Sequence, residues 1–184
     1  MGFYDDLEFS MGSRKQADCE MIKAAIPHCV DVRKTDIKDD KAGIDYVATL
    51  DHGAEINIDA KTRRKGVKKP NGFPELAIES WSDKPTVDRN GNKTPGKPGW
   101  TFSRSTNVDM ILYSFDPTDW NKFYLVPFQH LRMAAIKNYW RWRENYRCSE
   151  QYNDSWISEC IFVPADVVLE AVKNTMFMEQ EDKE

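Results

Sequence analysis

At 184 residues, with 40% hydrophobic and 12% aromatic content, the chain can bury one good core and reads most simply as a single domain, 1–184. Its 30 acidic residues against 26 basic ones leave a formal net charge of −4, which excludes a protein that coats nucleic acid indiscriminately and leaves room for a local basic site. No apolar stretch is long enough to span a membrane and no charged-then-apolar leader is present, so a cytoplasmic protein without membrane contact is expected, with Cys19, Cys29, Cys148 and Cys160 as free thiols.

Residues 13–26 contain neither Gly nor Pro and are followed by Pro27, which cannot continue a helix, so the segment predicts a helix. Helical spacing groups Ala17, Glu20, Met21 and Ala24 on one semi-apolar face, which aims Glu20 toward a sheet and sets Asp18 on another face. The alternative for Glu20 is a surface carboxylate paired with Lys23 or Lys15.

Residues 43–61 read as a hairpin. Ile44, Tyr46, Ala48 and Leu50 share one face of the first arm and Asp45, Val47 and Thr49 the other; in the second arm Ala54, Ile56, Ile58 and Ala60 alternate with Glu55, Asn57, Asp59 and Lys61. Asp51-His52-Gly53 has the length of a three-residue loop, with Gly where a left-handed residue is wanted. That loop sets Leu50 opposite Ala54 and Asp45 directly opposite Asp59, with Lys61 on the same face. Like charges directly opposite are destabilising unless neutralised, and Mg²⁺ or Mn²⁺ prefers such carboxylate oxygens, often taking only one or two and leaving positions for water and phosphate. Lys61 is then placed to orient or deprotonate water, or to neutralise charge on a phosphate. The same three residues also suit a solvated ion-pair cluster of little consequence. Lys61, Arg63, Arg64, Lys65, Lys68 and Lys69 form a basic run at the strand exit, which suits a phosphate backbone beside a metal pair, or a plain solvated loop.

Downstream, 74–81 predicts a third strand, with Glu79 either extending the acidic site or discouraging edge pairing. Residues 83–99 are rich in Asp, Asn, Gly, Lys and Pro and predict an exposed loop. The apolar run 107–115 predicts a central strand covered on both faces, and 122–128 another strand. A helix over 129–146 interleaves Tyr139, Trp140, Trp142 and Tyr146 with Arg132, Lys137, Arg141 and Arg143, aromatics that suit a core or partner-facing role better than base stacking. A final helix over 163–178 and an acidic tail complete the chain. Three scattered histidines, His28, His52 and His130, give little basis for a His-rich metal centre.

The order of a helix bearing an acid, then Gly43-Ile44-Asp45, then Ile58-Asp59-Ala60-Lys61, then a further strand, resembles the PD-(D/E)XK nuclease superfamily over roughly 13–130. Asp45 matches the first motif acid, Asp59 the second, where Glu is more usual, and Lys61 the lysine. The resemblance implies an α/β domain with a restriction-endonuclease-like mixed sheet flanked by helices, the core near 13–130 and a C-terminal helical part near 129–178. It implies a Mg²⁺- or Mn²⁺-dependent nuclease in which Asp45 and Asp59 bind the metal, Glu20 assists and Lys61 activates water, with DNA a better candidate than RNA. Many members act as homodimers, and small nuclease-fold proteins of phages and mobile elements suggest a second class: a non-cleaving module that engages nucleic acid or a host protein through Trp140 and Trp142.

Overall fold

The computed structural model describes residues 14–35, 43–63, 74–87, 91–103, 106–115, 123–153 and 156–181. Their elements run in the order α1 (Arg14–Ala25), β1 (Cys29–Lys34), β2 (Tyr46–Leu50), β3 (Glu55–Arg63), β4 (Glu75–Asp83), β5 (Lys97–Pro98), β6 (Met110–Phe115), β7 (Tyr124–Pro127), α2 (Phe128–Asn145), β8 (Arg147–Tyr152), β9 (Ile157–Pro164) and α3 (Ala165–Glu181). The architecture is mixed α/β, with two sheets. The chain divides into two compact units, Met1–Lys65 with Asn107–Phe128, and Gly66–Thr106 with Gln129–Glu184.

The first unit holds a five-stranded sheet of order β1-β2-β3-β6-β7. β1, β2 and β3 pair antiparallel, β6 joins β3 in parallel, and β7 returns antiparallel to β6. Strand alternation sorts this sheet into two faces. Tyr46, Ala48, Ile58 and Leu112 share a core with Ile22 of α1 and Ile26 just after it, and Ile56, Ala60, Met110 and Leu125 pack around it. β6, an interior strand between β3 and β7, is covered as its apolar run predicts and is buried from Ile111 to Phe115. Its start is fastened to β3 by Asp109, whose carboxylate accepts the Asn57 backbone N–H at 2.8 Å. The α1–β1 turn passes through His28 at φ 62°, a left-handed conformation uncommon outside glycine, and the His28 Nδ1 lies 3.0 Å from Asp51 of the hairpin loop.

The second unit holds an antiparallel sheet of order β5-β4-β9-β8 together with α2 and α3. The predicted strand at 74–81 is real but belongs here, not beside β3. β8 and β9 occupy a stretch for which the sequence suggests no strand. Leu76 and Ile78 of β4 and Ile161 and Val163 of β9 are fully buried. Instead of one continuous loop, 83–99 contains the Val87–Lys93 bridge and the short β5. Gly99 is required where the chain returns to β4, because a Cβ there would meet the Glu79 carbonyl oxygen at 2.2 Å.

Candidate functional site

The β2–β3 hairpin has the register that its sequence predicts. Tyr46 pairs with Ile58, the Leu50 N–H bonds the Ala54 carbonyl, and Gly53 takes φ 87° at the end of the loop. Asp45 stands one residue before β2, and its backbone N–H donates to the Ile58 carbonyl at 2.9 Å, which brings it beside Asp59. Its Oδ2 accepts the backbone N–H of Ala60 at 2.7 Å, and the Asp59 carboxyl stands directly beside it across the strand pair. Asp59 is only 3% exposed, and its Oδ1 lies 2.7 Å from the Lys61 Nζ. Three of the residues singled out in the sequence, Asp45, Asp59 and Lys61, therefore form one contiguous cluster.

Burial pushes the Asp45 carboxyl above its ordinary range. The Ala60 N–H opposes that rise, and the neighbouring Asp59 charge adds to it. Two neighbouring carboxyl groups, with an ammonium against one of them, are a compact set of hard oxygen donors. That donor chemistry fits Mg²⁺ or Mn²⁺, for which one or two protein carboxylates suffice when water and phosphate complete the shell. Among the described residues no group of three or more His, Cys, Asp or Glu side chains converges, so the donor set rests on the two aspartates.

The structure corrects the orientation expected of the first helix. Asp18 is 3% exposed and Glu20 lies in solvent. The buried stripe is Asp18 and Ile22 of α1 and Ile26 just past its end, spaced by four. The two isoleucines, the largest aliphatic side chains near the helix end, set the inward face, whereas a face built on Ala17, Met21 and Ala24 has less surface to bury. Asp18 accepts the Tyr46 hydroxyl at 3.0 Å, and burial together with Asp18 raises the phenol above its ordinary range. Tyr46 follows Asp45 and points to the opposite face, so the helix acid supports the core side of the strand that carries Asp45.

Arg63 closes β3, and Arg64, Lys65, Lys68 and Lys69 lie outside the described residues. Glu79 belongs to the second sheet, where it accepts the Trp100 N–H at 2.9 Å, so it does not extend the aspartate pair across the first sheet. His28 and His52 both bond Asp51 through Nδ1 at 3.0 Å, on the exposed hairpin loop. On α2, Trp142 is 1% exposed and is no anchor for a partner, whereas Trp140 is 70% exposed and packs edge-on against Tyr139.

A further cluster in the second unit has no counterpart in the sequence reading. Glu159, 2% exposed, is forked by Arg143, whose Nη2 lies 3.1 Å from Oε2; Lys84 lies 3.0 Å from the same oxygen, and Ser80 donates at 2.7 Å. Burial alone raises this carboxyl, but Arg143, Ser80 and Lys84 together outweigh it and hold the group down to about 2. Lys84 also bridges to Glu150. All of these charges neutralise one another, which suits a structural role. The signal that could have found it is the opposite-charge pairing of β9 with the last turns of α2, invisible without the fold.

Among the described residues no helix is long and apolar enough to cross a membrane. No protein-family model matches the chain, and neither a curated protein nor a solved structure matches it.

Proposed function

We propose that the chain is a metal-dependent nuclease of restriction-endonuclease-like fold that hydrolyses nucleic-acid phosphodiester bonds in the cytoplasm, DNA in preference to RNA. The observation that carries this reading is the Asp45–Asp59 pair, joined across β2 and β3 with Lys61 bonded to Asp59 at 2.7 Å. The order helix, antiparallel strands bearing the two acids, and a further strand parallel to β3 supports it.

Asp45 and Asp59 are the residues that would hold Mg²⁺ or Mn²⁺. When bound, the ion supplies Lewis-acid polarisation of a phosphate and a nucleophilic water near neutral pH. In that role Asp45 is ionised, which a bound cation would favour and the Ala60 N–H assists. Lys61, one-third exposed, reaches outward from the buried Asp59 and orients water or neutralises charge on the phosphate. Incubation with linear, circular, single-stranded and branched DNA and with RNA, in Mg²⁺, Mn²⁺ or EDTA, tests the reading. It expects cleavage in the metal-containing reactions alone, and no cutting of any substrate would overturn it.

A second reading, a non-cleaving binding protein, is favoured by one observation. Met133, Ile136 and Trp140 lie three and four residues apart on α2 and are 42%, 55% and 70% exposed. A binder would tolerate Asp45→Asn and Asp59→Asn and lose its partner on Trp140→Ala.

A further inference from the structure

Each of the two sheets ends in two edge strands, and an edge leaves a row of backbone N–H and C=O groups open to another chain. Three of the four edges among the described residues are blunted. β1 is interrupted by a bulge between Cys29 and Asp31, and the Lys23 ammonium donates to its Val30 carbonyl at 2.9 Å. β7 has four residues and ends in Pro127, and β5 has two, one of them Pro98. β8 carries none of these devices. Its six residues, Arg147–Tyr152, pair with β9 without a bulge, include no Pro or Lys, and are exposed except for half-buried Ser149.

The two charges on β8 do not guard it either. Arg147 lies over the Phe162 ring at 3.8 Å with its Nη2 3.4 Å from the buried Glu75 carboxylate, and Glu150 pairs with Lys84, so both are drawn back onto their own sheet. The end of the β8–β9 hairpin fixes which backbone groups face outward. The Asn153 N–H donates to the Trp156 carbonyl at 2.9 Å, and Ile157, opposite Tyr152, turns its carbonyl to the Lys84 N–H at 2.7 Å. By antiparallel alternation Arg147, Ser149 and Gln151 bond β9, whereas Cys148, Glu150 and Tyr152 point their N–H and C=O groups away from it.

The strand that fits this edge is a second β8. It is as regular as the first, and with one Arg against one Glu it carries no net charge to repel a copy. A two-fold axis normal to the sheet keeps every residue on its own face, so only residues an even number of positions apart meet. Centring the axis on Ser149 sets Arg147 opposite Gln151 of the copy and Cys148 opposite Glu150 of the copy. Residues 147–151 then all pair, no like charges face each other, and the outward groups of Cys148 and Glu150 exchange backbone hydrogen bonds on both sides of the axis. Centring on Glu150 opposes the two glutamates, and centring on Cys148 shortens the ladder to residues 147–149.

We propose that the chain forms a two-fold dimer in which β8 pairs antiparallel with β8 of a second copy about Ser149, joining two four-stranded sheets into one. The contact uses neither Asp45 nor Asp59, so it stands apart from the nuclease reading.

Sedimentation equilibrium of the full chain tests the proposal, and a monomer–dimer equilibrium is expected. Cys148→Pro removes an outward N–H without removing a bond to β9 and is expected to weaken the dimer at least tenfold, while Cys148→Ser leaves it unchanged; thermal melts check that both are folded. The register has its own test. Ser149 and its copy form a non-hydrogen-bonded pair, with Cα atoms about 4.5 Å apart, within the reach of a disulfide. Because Ser149 stands opposite Cys160 within the chain, the cross-linking background is Cys148→Ser with Cys160→Ser. Mild oxidation is expected to cross-link two chains carrying Ser149→Cys and not two carrying Gln151→Cys. A wild type that is monomeric at every concentration, a dimer undiminished in folded Cys148→Pro, or cross-linking through Gln151→Cys in preference to Ser149→Cys would each overturn it.

Discussion

Asp45 and Asp59 stand side by side across the β2–β3 pair, and the Asp45 carboxylate takes the backbone N–H of Ala60 at 2.7 Å. Burial and the neighbouring Asp59 charge disfavour ionised Asp45 in the folded chain, a cost that a bound cation would relieve.

Asp45→Asn is expected to stabilise the metal-free protein at neutral pH while abolishing cleavage. The amide oxygen can still accept the Ala60 N–H, and the buried charge is gone. Because the folded carboxyl titrates above its ordinary value of 3.8, wild type loses stability as pH rises from that value through the raised one, and the variant does not. A gain of about 1 kcal/mol, or about 2–4 °C in a thermal melt at pH 7, is expected, vanishing in acid. A variant less stable than wild type at pH 7 would contradict it.

Lys61→Met removes the counter-charge of a carboxylate that is 4% exposed at the side chain. The pair is partly open, since a third of the lysine side chain is in solvent, so a loss of roughly 1–3 kcal/mol is expected rather than the full cost of a sealed pair. Adding Asp59→Asn should recover most of it without recovering cleavage. Additive destabilisation in the double variant would mean that the two residues are uncoupled.

On α1 the two acids should behave oppositely. Asp18→Ala leaves the Tyr46 hydroxyl without its acceptor inside the core and is expected to cost about 1–3 kcal/mol. Glu20→Ala is expected to change stability by less than about 0.5 kcal/mol and to leave cleavage unchanged. Urea denaturation of both variants checks the first claim, and a cleavage assay the second.

Glu159 sets an acid limit. Its folded value of about 2 lies below the ordinary 4.5, so its contribution is complete above about 4.5 and is lost as pH falls toward 2. That contribution is on the order of 3 kcal/mol. Denaturation between pH 5 and 2 should show the loss in wild type, on the scale of that pH range. Glu159→Gln should be destabilised at neutral pH by roughly 3 kcal/mol and lose less on acidification, because Arg143 and Lys84 no longer face a carboxylate there. An unchanged acid profile in the variant would contradict the assignment.

The first unit was largely legible because its signals are local. Period-two alternation over 44–61 and a Gly-ended loop fix the register that joins Asp45 to Asp59, and the apolar run at 107–115 marks β6. On α1, Asp18 hides in the inward stripe because Tyr46 supplies a donor there, a tertiary fact that no helical spacing reports. β9 is masked in the sequence for a similar reason. Glu159 occupies an inward position in line with Ile161 and Val163, breaking the apolar alternation, and only the distant Arg143, Lys84 and Ser80 make its burial tolerable. β8 is exposed along nearly its whole length and shows no apolar face to read. Trp142 and Trp140 are adjacent in kind and opposite in environment, a distinction set by which side of α2 is packed.

The most direct test compares wild type with Asp59→Asn and Asp45→Asn in a DNA cleavage assay in Mg²⁺, Mn²⁺ and EDTA, with thermal melts confirming that all three chains are folded. Metal-dependent cutting by wild type and none by either variant is expected. Cutting retained by both folded variants, or cutting by wild type at full rate in EDTA, would contradict the assignment of Asp45 and Asp59 as a catalytic metal pair.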